Sequence, residues 1–559
     1  MLISVSLFLL SACSGGGDSS SSTPTAPAPS TPAPTTPSTP TPVPPLVPPP
    51  TETDISVAEG ARFLRQASFG LADGDVEALQ AIGYEAWIDA QITAPASSQL
   101  LHLVSLPEPE NNFEGQSNRL EAFFLHALKN DDQLRQRMAF ALSEIMVVSD
   151  DGILFNAPGG LASYYDMLSS FAFGNFRELM EAVTLHPAMG VYLSMLGNEK
   201  PDLARNIRPD ENYARELLQL FTIGLVELNL DGTPRLDTNG QMIPTFNQSI
   251  VEGFAHVNTG WTFAGSPSFS NPRFNFVMPM QAFADFHDSG EKRLLNGVVL
   301  PAGQTPEQDL EDALDNIFQH SNIAPFVSRR LIQRFTSANP SPAYVERVAT
   351  IFNDNGSGAR GDLGAVVKAI LLDQEARSAS VGGEGGKLVE PLLRLVALWR
   401  AFDAAAADGR YWYPQPNIAF AQAPLRSPSV FNFFSPDYAP AGELSSLGLV
   451  SPEMQITNET TTASVNNFLS FSIYIRNSSA TNLNERAIKI NIAPYLILAS
   501  DTDKLIERIA EKLLGGVISD ELRAQAVTMI NTIPQDQPAF RVTEAIHVIA
   551  SSVEFALIE

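Results

Sequence analysis

The densest run of side chains able to do chemistry is Pro209-Asp210-Glu211-Asn212-Tyr213-Ala214-Arg215-Glu216-Leu217-Leu218. Two carboxylates around a guanidinium suit general acid–base work, metal ligation or the clamping of a polar substrate. Glu211 and Arg215 are four residues apart, in the favourable order for a helical ion pair, and Asn212 and Glu216 align in the same way. Two histidines flank the run in sequence, His186 before Pro187 and His287 before Asp288. A cleft gathering Glu211, Arg215, Glu216, His186 and His287 would be a hydrolase-like catalytic site, with or without a metal. The competing reading is a solvated helix face carrying one surface ion pair, which contributes under about 1 kcal/mol. Spacing alone favours that second reading.

These residues need helices to position them, and the chain has the pattern for many. Pro209 and Asp210 suit a helix start, and Ala214, Leu217, Leu218 and Phe221 form the apolar stripe of a helix over Glu211 to Leu225. Periodicity and capping signals predict further helices at 56–69, at 76–82 with Asp73 or Asp75 as cap, and at 84–92 carrying Trp87. Others are expected at 119–129, from Asp131 or Asp132 through Ile145, and at 176–185, 308–318, 325–335, 343–353, 363–373 and 390–404. Residues 501–557 read as three helices. The expected fold is mainly α: a multi-helix globular domain with a small β-hairpin insertion and a loop-rich segment before the C-terminal helices. The insertion is Leu228 to Thr245, where Asp231-Gly232 and Asn239-Gly240 are turn signals. The loop-rich segment is Tyr411 to Gln455, whose run Ser427-Pro428-Ser429-Val430-Phe431-Asn432-Phe433-Phe434-Ser435-Pro436 reads as a buried aromatic plug.

Other chemistries have weaker support. Asp231, Asp237 and Asn239 invite a calcium loop, but the alternating acidic order and closing glutamate are missing. There is no Gly-x-Ser-x-Gly elbow and no phosphate-binding glycine loop. Zinc prefers closely spaced His and Cys pairs, and no His-x-x-x-His pair occurs. A carboxylate-rich magnesium or calcium site stays open, and cofactor and metal are otherwise unknown. Lys292, beside His287-Asp288, is a salt-bridge or anion-binding candidate, and Trp261 reads as core.

Arg62-Phe63-Leu64-Arg65-Gln66-Ala67-Ser68-Phe69-Gly70 resembles the opening signature of an uncharacterised bacterial family, domain of unknown function 1800. The resemblance continues through Leu134-Arg135-Gln136-Arg137-Met138, His186-Pro187-Ala188-Met189 and Glu211-Asn212-Tyr213-Ala214-Arg215-Glu216-Leu217. It then takes in Thr259-Gly260-Trp261 and His287-Asp288-Ser289-Gly290-Glu291-Lys292, and spans most of Ala58 to Leu557. It implies an exported protein of no established activity. It also implies a partner, an exported member of the sulfatase- or phosphatase-like family catalogued as domain of unknown function 1501. Relatives of this pattern carry a Trp-His-Asn-His run where this chain has Leu142-Ser143-Glu144-Ile145, and a His where it has Phe221. Any metal those histidines hold in relatives has lost them here, leaving His186, His256, His287 and His320.

Composition sets the surroundings. The 559 residues carry a net charge of −27, with 44% hydrophobic and only 17% charged residues. Such a chain does not suit nucleic acid, whose phosphates need compensating Lys and Arg, nor an anionic lipid surface. The single cysteine, Cys13, ends Leu10-Ser11-Ala12-Cys13 after an apolar stretch too short to span a bilayer, which takes about 20 residues. That is the pattern of a lipoprotein signal over residues 1–12, with Cys13 as the lipidation site. No Lys or Arg precedes the apolar stretch, so the true translation start is expected upstream. Ser14 in place of an acidic retention residue favours the outer membrane, on a side the sequence does not specify. Residues 13–54 are rich in Pro, Ser and Thr and read as a disordered tether, reaching roughly 100 Å at about 3.1 Å per residue. The helical domain occupies 55–559. Two or three acyl chains give stable anchoring, so Cys13→Ser should move the protein from the membrane to the soluble fraction; retention on washed membranes would count against lipidation.

Overall fold

The computed structural model describes residues 55–378, 386–475 and 485–558; Cys13 and the rest of the proposed signal and tether lie outside them. Helices begin where the sequence supplies caps. Ser56 accepts from the Glu59 amide while the Glu59 carboxylate takes the Ser56 amide, opening helix Val57–Ala67. Thr305 and Gln308 repeat the device at helix Pro306–Phe318. Helix Phe176–Leu185 has the expected bounds. Asn111 caps helix Asn112–Lys129 two turns earlier than the apolar stripe suggests. The C-terminal trio is Thr502–Leu514, Asp520–Asn531 and Pro538–Ala550, followed by a short turn at Val553–Ala556.

The molecule is mainly α-helical. Asn112–Lys129 runs through the interior and is buried on nearly every face. Helix Gln133–Ser143 packs beside it and against Pro158–Ser170, while Ile323–Phe335, Pro342–Asn353 and Leu363–Leu372 stack in succession. One continuous apolar core joins these helices to the C-terminal trio, and Phe433, Phe434 and Ile456 form a separate small cluster. Among the described residues no helix is long and apolar enough to cross a membrane.

Among the described residues, three two-stranded antiparallel sheets tie the helices together. β1 (Trp261–Thr262) pairs with β2 (Gln281–Ala282), β3 (Lys292–Arg293) with β4 (Val299–Leu300), and β5 (Lys387–Leu388) with β6 (Leu557–Ile558). The last pair sets Lys387 opposite Ile558, so the end of the chain fixes the position of a lysine far from it in sequence. The expected insertion forms two linked tight turns. Gly232 and Gly240 both sit at φ 76°, which glycine adopts without strain. Asp231 accepts from the Thr233 amide and hydroxyl, and Asp237 from the amides of Asn239 and Gln241, so these carboxylates cap their own turns.

Two expectations need correction. The single helix over Glu211 to Leu225 is an α-turn, Asn212–Glu216, that widens into a π-turn over Leu217–Thr222. The Ile223 amide reaches back five residues to the Leu218 carbonyl, and the Thr222 hydroxyl donates to the Leu217 carbonyl at 2.6 Å. Gly224, at φ 73°, then ends it. Helix Pro391–Ala401 stops before Ala404, and two helices arise beyond those expected: Gln248–Val257, capped by Asn247, and Pro158–Ser170, where apolar periodicity is weak.

Helix Gln248–Val257 lies so close to β3 that a Cβ on Gly253 would sit 1.9 Å from the Arg293 carbonyl oxygen. Gly253→Ala should therefore destabilise the fold by about 1–3 kcal/mol through overpacking, despite a helix-propensity gain of about 1 kcal/mol. A chemical-denaturation midpoint at or above the parent's would contradict this close approach.

Candidate functional site

The structure divides the five sequence candidates among separate interactions. Glu211 and Arg215 pair at 3.0 Å, and Gln248 closes a ring with both: its amide nitrogen donates to the Glu211 carboxylate at 2.9 Å and its oxygen accepts from Arg215 at 3.0 Å. This half-exposed ring joins the Asn212–Glu216 turn to helix Gln248–Val257. Glu216 turns inward. Its carboxyl is buried, with Oε2 lacking a hydrogen-bond partner, and burial raises its pKa against the opposing pull of Arg215.

His186 caps helix Pro187–Tyr192. Its Nδ1 accepts from the Ala188 amide at 3.2 Å, which leaves the proton of the neutral ring on Nε2, facing the Ser163 hydroxyl at 3.4 Å. Burial lowers its pKa to about 3, so the ring is neutral at physiological pH. His287 is buried in a different network. Its Nε2 meets Asp309 at 2.8 Å, Lys292 meets the same carboxylate oxygen at 2.6 Å, and Nδ1 lies 2.9 Å from the Thr259 carbonyl. Gly260, at φ 87°, lets the Thr259-Gly260-Trp261 loop wrap His287, because a Cβ there would meet the Phe283 carbonyl oxygen at 2.9 Å. His256 binds Asp288, whose pKa this hydrogen bond draws down to about 2. His320 faces Glu227 at 3.6 Å. Among the described residues no hydrogen bond or ion pair joins Glu216, His186 and His287 to one another, and no three His, Cys, Asp or Glu gather in a way that could hold a metal.

A different place collects the marks of a functional site. A cleft of about 480 Å³ opens between the π-turn, the first tight turn of the insertion, helix Ile323–Phe335 and the loop around Asn432. Its volume falls in the range of roughly 300–1,000 Å³ common for ligand sites. Leu220, Leu225, Phe326, Val430 and Phe431 supply apolar wall, and Arg329, Arg330, Arg334, Glu144 and Asp437 supply charge. π-turns within α-helices occur frequently at functional sites. Asn432 sits at φ 65°, a left-handed conformation unusual for a residue other than glycine. The residue is only 7% exposed, and neither its side-chain amide nitrogen nor its amide oxygen has a partner. Phe434 packs under the Arg334 guanidinium, 4.7 Å from ring centre to carbon.

Behind the cleft lies a buried ionic network. Arg334 meets Glu144 at 3.1 Å and Glu390 at 3.9 Å; Lys387 meets Glu390 at 3.7 Å and also binds Glu453. Gln422 bridges the two acids, donating to Glu144 at 2.9 Å and to Glu390 at 2.6 Å. Arg137 donates to the Arg334 carbonyl at 2.7 Å. Burial pushes the Glu144 carboxyl up to about 8, with Arg334 pulling down and the hydrogen-bonded Glu390 pushing the same way as burial. Burial also raises Glu390, but Lys387, Arg334 and Arg137 outweigh it and hold that carboxyl below its ordinary value. The surroundings thus favour the ionised form of Glu390 and the protonated form of Glu144.

Sequence reasoning placed Phe431 to Phe434 in a plug and noted Glu144 and Ile145 as departures from a histidine-bearing pattern, but did not join them. The signal available was that departure, since Glu144 and Ile145 line the cleft and Phe221 lies buried in the π-turn beside it. The molecule is a mainly α-helical protein with one arginine-rich, partly apolar cleft set over buried charges. It belongs to the family described as Protein of unknown function (DUF1800), which matches residues 62–557. No curated protein and no solved structure matches the chain.

The folded protein holds the Glu144 proton up to about pH 8, whereas a free glutamic acid loses it near 4.5. The folded state binds more protons across that interval, so the Glu144 contribution to stability falls as pH rises through it. Glu144→Gln keeps the shape without the titration. The stability difference between variant and parent should shift in the variant's favour from pH 5 to pH 8 in denaturation series; a pH-independent difference would show that Glu144 is ionised throughout.

Proposed function

We propose that this protein is an exported, lipid-anchored accessory protein that engages its partner through the Asn432 cleft. The observation that carries the reading is the coincidence, at one ligand-sized opening, of a π-turn, a left-handed asparagine with an unpaired buried amide, and exposed apolar side chains at the mouth. Leu225 and Phe431 are 54% and 58% exposed there. The lipobox at Cys13 and the Pro-rich residues that follow support anchoring at the outer membrane, and the family resemblance supports an exported sulfatase- or phosphatase-like partner.

A second reading, an exported hydrolase built on Glu211, Arg215, Glu216, His186 and His287, is favoured by one observation. Glu216 is a buried carboxyl with a raised pKa and an unpaired oxygen, which are properties of general acids. Against it, Glu211 and Arg215 are satisfied by each other and by Gln248, and His186 and His287 each hold local structure.

Leu225→Trp fills the cleft mouth from an exposed position. Pull-down from native membranes followed by mass spectrometry should recover an exported partner with the parent protein, lose it with Leu225→Trp, and retain it with Glu216→Gln. Equal recovery with Leu225→Trp would overturn the cleft reading, and loss with Glu216→Gln alone would favour the second.

A further inference from the structure

The cleft carries a chemical specification for its ligand. Its charge is unbalanced. Arg329 and Arg330 share one carboxylate, Asp437, at 3.8 and 3.1 Å. Arg334, deeper in, looks back to Glu144 and Glu390, an anion it shares with Lys387. The opening therefore presents an excess of guanidinium on a protein whose net charge is −27. The Nε of Arg329 has no hydrogen-bond partner. A single guanidinium recognises a planar carboxylate through two parallel hydrogen bonds.

The second specification is Asn432. A primary amide offers two donor hydrogens and an acceptor oxygen. Leaving both ends buried and unpaired is unfavourable until a ligand pairs them. A peptide backbone offers the complement, one carbonyl oxygen and one N–H on neighbouring atoms. The third is the apolar wall of Leu220, Leu225, Phe326 and Phe431, which suits one large apolar side chain and offers nothing to an inorganic anion.

We propose that the cleft binds the free carboxyl terminus of a peptide whose last residue is apolar, with Arg329 and Arg330 taking the carboxylate, Asn432 the adjoining peptide group and Leu225 and Phe431 the side chain. This rests on the cleft being the binding site. The occupant is the accessible apolar C-terminus of the exported partner, and recovery of no intact partner in the membrane pull-down would point to a released peptide instead.

The test is calorimetric titration of the full-length protein with acetyl-trialanyl-phenylalanine, its C-terminal amide, and inorganic phosphate. The free acid should bind. Amidation should weaken binding at least tenfold, about 1.4 kcal/mol, and equimolar phosphate should fail to displace the peptide. Asn432→Gly keeps the left-handed backbone, which glycine adopts freely, and should weaken the free acid at least tenfold with an unchanged or raised denaturation midpoint. Arg329→Gln should weaken the free acid and leave the amide unaffected. Equal binding of acid and amide, displacement by equimolar phosphate, undiminished binding by Asn432→Gly, or no binding of the acid would each overturn the proposal. If peptide binding fails while Leu225→Trp still abolishes partner recovery, the ligand class is wrong and the cleft reading stands; if recovery survives Leu225→Trp, the cleft reading itself falls.

Discussion

Glu390 is the charge around which this interior is organised. It is fully buried, and an isolated carboxylate there would cost several kcal/mol after relaxation. Three cations from distant parts of the chain offset that cost: Arg137 from helix Gln133–Ser143, Arg334 from helix Ile323–Phe335, and Lys387 from the strand paired with Leu557–Ile558. Removing any one leaves buried charge without its counter-charge, so the network binds N-terminal, middle and C-terminal segments into one unit. The raised pKa of Glu144 favours its protonated form, which lessens repulsion with Glu390. Arg334 is then held between the buried acids and the Phe434 ring at the floor of the cleft.

The helices were legible for ordinary reasons. Ser56 with Glu59 announces a start, and Asn175 caps helix Phe176–Leu185 as its type suggests. The Glu211–Arg215 pair was legible because a helix brings residues four apart together, and it forms at 3.0 Å. What a single helical period could not show is the extra residue wound in at Leu217–Thr222, because the stripe Ala214, Leu217, Leu218, Phe221 reads the same on an α-turn and at the entry to a π-turn. That change places Gln219 and Leu220 in the cleft wall.

The cleft itself was hidden by chain distance and by ordinary residue types. Its wall draws on Glu144, on 219–234, on 326–334 and on 430–437, and no short motif spans them. An asparagine in an aromatic loop and arginines on a helix each have bland explanations taken singly. Their meaning comes from the left-handed φ of Asn432, its unpaired amide and the shared Asp437, which only three-dimensional placement supplies. The polar Glu211 face is the reverse case: conspicuous in sequence and, in the fold, a ring of side chains that satisfy one another. Histidines tell the same story, since His186, His256, His287 and His320 each meet a local partner that accounts for it.

Two places therefore compete as the functional site, and they lie on different segments. Hydrogen–deuterium exchange separates them when the full-length protein is compared alone and in the complex isolated from native membranes. The account predicts new protection over residues 217–225, 326–334 and 430–437. Protection confined to residues 209–216 and 248–252, with the cleft segments unchanged, would contradict it.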